Sequence, residues 1–98
     1  MEIRKADVVR SLAGRDTGEL FYVSSVEGGF AQIVNGRDRR TDKPKRKKLR
    51  HLEFVRRGDD RTDRKLRQGE KVTNSELRRA LAQLAGVEEE GGMPNGEG

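Results

Sequence analysis

The sequence predicts a mainly β fold: a small barrel of five short strands, followed by a charged linker, one short α-helix and a disordered tail. Three observations carry that expectation. Apolar residues concentrate between Ile3 and Val55, in short runs of β-formers separated by Gly- and Asn-containing turns. From Arg56 to Lys71 the chain is charged and polar, with Leu66 as its apolar exception. Thr73-Asn74-Ser75-Glu76 then opens a stretch whose leucines recur at helical spacing. The division is residues 1–55 for the barrel, 56–71 for the linker, 72–86 for the helix and 87–98 for the tail.

Val8, Val9 and Leu12 mark the first strand. Ala13-Gly14-Arg15-Asp16-Thr17-Gly18 follows as a turn, because two glycines and an Asp tolerate backbone angles that other residues avoid. Leu20 to Val23, running on to Val26, is a second strand, and Glu27-Gly28-Gly29 turns it into a third at Phe30 to Val34. Asn35-Gly36 is a strong short hairpin signal, since both residues accept positive φ. It predicts a polar fourth strand, Arg37 to Thr41, folding back on the third. Pro44 suits the turn after it. A closing strand, Lys48 to Val55, directs Leu49 and either Leu52 or Phe54 to the core.

The four aromatics, Phe21, Tyr22, Phe30 and Phe54, are read as core, because a barrel this small needs them inside. Alternation with Phe21 and Val23 makes Tyr22 the first of them to face outward. In the helix, Thr73 and Glu76 form a capping box, with Val72 and Leu77 placed as a hydrophobic staple. Leu77, Leu81 and Leu84 share one face, and Gly86 is placed as the C-cap. Three turns are too few for a stable isolated helix. The stripe either packs back on the barrel or offers a docking face to the ribosome or another protein. Packing is favoured, because three exposed leucines invite aggregation. Beyond Val87, Glu and Gly dominate and disorder is expected.

Composition narrows the function. The 98 residues allow one small domain, with 31% hydrophobic and 40% charged residues. There is no cysteine and one histidine, His51, which argues against thiol chemistry, a disulfide framework and a multi-ligand metal site. No phosphate-cradling GxxxxGK[ST] motif and no distinct carboxylate pair is present, so neither catalysis nor a cofactor is expected. No apolar run approaches the ~20 residues of a membrane helix. A cytoplasmic protein, with ribosome association in view, is the expectation. The strongest signal is a cationic run: Arg37, Arg39, Arg40, Lys43, Lys45, Arg46, Lys47, Lys48 and Arg50 occupy nine of fourteen positions, against Asp38 and Asp42. Such density is self-repelling unless a polyanion neutralises it, and nucleic acid is the commonest one.

The segment Ala6 to Gly18 resembles the KOW motif, a strand, glycine turn and strand found in ribosomal proteins and transcription elongation factors. It is most similar to the large-subunit ribosomal family fourteen-e and to small bacterial KOW-domain proteins. Gly14-Arg15-Asp16-Thr17-Gly18 stands at the family's glycine-bracketed turn, and Lys47-Lys48-Leu49-Arg50-His51-Leu52 resembles its closing strand. Three positions depart from the pattern: Ala6 where many relatives have Gly, Glu19 where they have Lys, and Phe21 in place of a second glycine. The resemblance covers roughly Glu2 to Val55. It implies an SH3-like barrel that binds RNA, with ribosomal RNA first. The cationic run joined by Arg15 and His51 would be the contact residues, most of them meeting phosphate. The competing reading is a protein-interaction module of the transcription or translation machinery.

Overall fold

Side-chain alternation sorts the apolar residues of each strand into two layers, and the computed structural model, which describes residues 2–58 and 60–92, is built on that separation. The strands are β1 (Val8–Ser11), β2 (Leu20–Glu27), β3 (Phe30–Val34), β4 (Lys45–Lys48) and β5 (Leu52–Arg56). All pair antiparallel, in the order β4-β3-β2-β1-β5. Register shifts between Val23 and Ser25 of β2, and between Val8 and Val9 of β1, bend the sheet. Among the described residues no ladder joins β4 to β5, so the sheet is curled but not closed.

The concave layer gathers Val9, Phe21, Val23, Ala31, Ile33 and Leu52, with Leu49 packed against it. Val8, Tyr22 and Val34 point the opposite way. They meet Val72, Leu77 and Leu81 from the helix α2 (Asn74–Gly92) and the residues before it. Tyr22 does alternate away from Phe21, as expected, yet it is wholly buried because α2 lies over it. Leu77 and Leu81 are buried there too, and half-buried Leu84 packs against the cluster. The leucine stripe is therefore part of the core. Each fully buried side chain of this size contributes about 2 kcal/mol.

The expected capping box is present. The Thr73 amide donates to Glu76 Oε1 at 2.9 Å, and the Glu76 amide to Thr73 Oγ1 at 3.1 Å. Lys65 reaches Glu76 Oε2 at 2.9 Å. The Thr73 amide, then Lys65, draws the Glu76 carboxyl down to about 2.

Four expectations are corrected. The fourth strand is Lys45 to Lys48, not Arg37 to Thr41. The Asn35 side chain accepts from the Arg37 and Arg39 amides, a local alternative to a ladder. Gly36, at φ +81, packs on the Asn74 carbonyl and Leu77. The closing strand is broken by a 3-10 turn, Leu49–His51, before β5 starts at Leu52. The segment expected as linker contains a second helix, α1 (Arg61–Arg67). It starts in a capping box between Asp60 and Asp63 and packs Leu66 on the α2 layer. Finally, α2 passes through Gly86 to Gly92, and Gly86 lacks the positive φ of a C-cap. The expected tail therefore begins later than residue 87; its residues 93–98 lie outside the described residues.

Ala6 is the one non-glycine residue at positive φ among those described, at +76. Its amide donates to the Val23 carbonyl at 2.7 Å, which fixes the approach to β1. A left-handed alanine costs about 1 kcal/mol or more relative to glycine. Ala6→Gly is expected to raise unfolding stability by about 1 kcal/mol in urea titration. An unchanged or lower midpoint would show that the buried methyl outweighs the backbone strain.

Candidate nucleic-acid interface

Alternation also divides the cationic run. In β4, Lys45 and Lys47 lie opposite Ile33 and Ala31 and share their concave face, while Arg46 and Lys48 point away and are exposed. Two lysines on an apolar face need an anion, and the turn between β1 and β2 supplies it. Asp16 Oδ1 accepts from Lys47 Nζ at 2.8 Å and from Ser11 Oγ at 2.7 Å, and Asp16 Oδ2 from Lys45 Nζ at 3.0 Å. Lys47 Nζ also donates to the Ala13 carbonyl at 2.6 Å. Lys47 is 7% exposed. Burial alone would raise the Asp16 carboxyl, but the hydrogen bonds from Lys47, Ser11 and Lys45 overcome it and hold it well below the usual carboxylate range.

The turn folds around this carboxylate through its own backbone. Gly18 donates to the Ser11 carbonyl at 2.8 Å, and Thr17 Oγ1 to the Gly14 carbonyl at 2.6 Å. Gly14 and Gly18 take positive φ, +87 and +92, which the two glycines accept without strain. Arg15, within this turn, is exposed.

The loop between β3 and β4 is anchored at both ends. Asn35 is buried, and its Nδ2 donates to Asp38 Oδ1 at 2.9 Å. That bond draws the Asp38 carboxyl down. On the far side Thr41 donates to Asn74 Oδ1 at 2.9 Å, and Arg78 to the Gly36 carbonyl at 2.6 Å. The loop thus rests on the start of α2 and presents Arg37, Arg40 and Lys43 to solvent. Arg39 is half-buried, with its carbonyl accepting from the Asn35 and Gly36 amides. Arg50, in the 3-10 turn, is exposed; His51 is half-buried.

Of the residues expected to meet RNA, Arg15, Arg37, Arg40, Lys43, Arg46, Lys48 and Arg50 are exposed. Lys45, Arg39 and His51 are partly covered, and Lys47 is buried on Asp16. Three participants were not anticipated. Asp16 accepts from both lysines while Ser11 donates to the same carboxylate, and the i, i+2 spacing of Lys45 and Lys47 on one strand face could have revealed the need for that anion. Phe30 is half-buried rather than core, with the Arg46 guanidinium 3.7 Å from its ring centroid. The surface is a set of hydrogen-bond donors on a braced edge, suited to holding anions. Among the described residues, no group of three or more His, Asp or Glu is placed to hold a metal, and no helix is long and apolar enough to cross a membrane.

Compared with models of known protein families the chain matches none, and no curated protein matches it.

Three carboxylates depressed in the fold, Asp16, Asp38 and Glu76, are stabilising while ionised. Their contribution is present above the ordinary carboxylate range and lost as pH falls through and below it. Asp63 runs the other way: burial, then the Asp60 charge, raises it, so its contribution declines as pH rises above about 4. Net acid destabilisation is expected below about pH 4, and Asp16→Asn should flatten the stability–pH curve there. A variant with the same acid slope as the parent would show that Asp16 is not depressed.

Proposed function

We propose that this chain is a non-catalytic RNA-binding domain of the KOW type, an SH3-like barrel left open along one seam, acting on ribosomal RNA or elsewhere in the translation apparatus. The observation that carries the reading is the division of β4. Its concave lysines are neutralised by Asp16, while Arg46 and Lys48 stay exposed, as do Arg37, Arg40, Lys43 and Arg50. A solvated cationic tail would need no such bracing. A surface that must hold several phosphates in register does, because contacts fixed before binding lose less entropy on binding.

Two further features support the KOW resemblance. β1 sits between β2 and β5, with a 3-10 turn joining β4 to β5, a strand order that fits a small barrel. Ala6, where many relatives have Gly, is the residue at left-handed φ. The glycine turn itself is tied to β4 through Asp16 and carries the exposed Arg15.

Electrostatic capture predicts steep salt dependence. Anisotropy of a labelled single-stranded RNA, titrated from about 50 to 200 mM salt, should give a log–log slope of about −0.7 for each phosphate engaged. Reversing Arg40, Lys43, Lys48 and Arg50 to Glu should weaken binding by about a hundredfold or more and make the slope shallower. The thermal midpoint should change little, since these side chains are exposed. Salt-independent affinity would refute the reading. A reversed variant that keeps its cellular partner would favour a protein-interaction module instead.

A further inference from the structure

We infer that Phe30 and Arg46 form a stacking subsite for an unpaired nucleobase, beside phosphate-holding Lys48 and Arg50. The inference rests on the RNA-binding reading and goes beyond it by naming the form of RNA bound. Register places Phe30 opposite Lys48, and Gln32 opposite Arg46, on the convex face of the sheet. Val34 shares that face but lies under α2, whereas Gln32, Arg46 and Lys48 are exposed and Phe30 is half-buried. An aromatic ring is thus left at the uncovered end of a cationic strand.

The Arg46 guanidinium lies 3.7 Å from the Phe30 ring centroid. This contact holds an otherwise mobile side chain as a flat plate, with the ring on one side. An exposed guanidinium plane can stack on an unpaired base, as can an aromatic ring. A cleft of about 430 Å³ opens here, lined by Phe30, Arg46, Gln32, Ser25, Glu27 and the Gly28-Gly29 turn. The two glycines add no side chain to the cleft wall. Glu27 makes the cleft unfavourable to phosphate, and the Gln32 amide can both donate to and accept from a base edge. On the other side of Phe30, a depression of about 450 Å³ is lined by Gly29, Lys48, Leu49 and Arg50. The base thus has a cleft beside Arg46 and Phe30, and exposed Lys48 and Arg50 supply the cations for its flanking phosphates.

The test compares a 12-nucleotide single-stranded RNA carrying one 2-aminopurine with the same strand in a duplex. Phosphate capture alone favours the duplex, whose charge density is higher. The subsite predicts the reverse: the single strand binds about tenfold tighter, with 2-aminopurine fluorescence quenched on binding. Arg46→Lys keeps the charge and removes the plane, so it should abolish most of the preference and the quench while leaving the salt slope unchanged. Phe30→Leu should act likewise, with folding checked by circular dichroism. Duplex binding equal to or tighter than single-strand binding would overturn the subsite, as would a preference that survives Arg46→Lys. Salt-dependent RNA binding in that outcome would leave the broader reading standing. Binding of neither RNA at low salt would overturn both.

Discussion

Lys47 sits where a strand facing an apolar layer would ordinarily carry valine or isoleucine, and Asp16 makes that placement tolerable. A buried ammonium without a counter-ion costs several kcal/mol. Here the carboxylate and the Ala13 carbonyl accept from it, and the Ser11 hydroxyl donates to the same carboxylate. The pair has structural consequences in both directions. It draws the Ala13–Gly18 turn onto β4, and it fixes which face of β4 each of its four cations occupies. Replacing the pair with apolar residues of similar volume need not destabilise such a fold. What the ionic version adds is a specified register at the open edge of the sheet, where a one-residue slip would turn Arg46 and Lys48 inward.

The same division gives the cationic surface its form. Charges of one sign crowded on a flexible segment repel each other and spread. Asp16 removes two of them from that repulsion, the Asn35 side chain folds the preceding loop, and α2 supports that loop through Asn74 and Arg78. α2 thus has two roles. It completes the core over Tyr22, and it carries the loop that presents Arg37, Arg40 and Lys43. Interference with the leucines should therefore disturb the cationic loop at a distance, through the Arg78–Gly36 and Thr41–Asn74 hydrogen bonds.

Much of the fold was legible in the sequence because it depends on local signals. The β-former runs located β2 and β3 closely, and the Thr73–Glu76 box with its Val72–Leu77 staple located the start of α2. What escaped depends on contacts distant in sequence. Asn35-Gly36 signals a tight hairpin in isolation, but Gly36 is used against α2 and Asn35 for a wider loop. α1 has a single apolar residue, so it has no periodic stripe, and its start rests on two aspartates capping each other. The cationic run was plain as a run. Its two-sided character was not, because the carboxylate that divides it lies about thirty residues earlier in the chain. Tyr22 and Phe30 show the same limit: alternation states which way a side chain points, but not whether a helix arrives to cover it.

The dependence of the sheet edge on Asp16 is most directly tested by a double-mutant cycle of Asp16→Asn and Lys47→Met, read as unfolding free energy at pH 7. Removing the carboxylate alone leaves a buried ammonium uncompensated. Removing both leaves no buried charge at position 47, only a neutral amide at position 16 and an apolar side chain at 47. A coupling of about 2 kcal/mol or more is expected, with Lys47→Met recovering much of the stability lost in Asp16→Asn. Two losses that simply add, within about 0.5 kcal/mol, would mean that the two residues act independently and that the edge is held by something else.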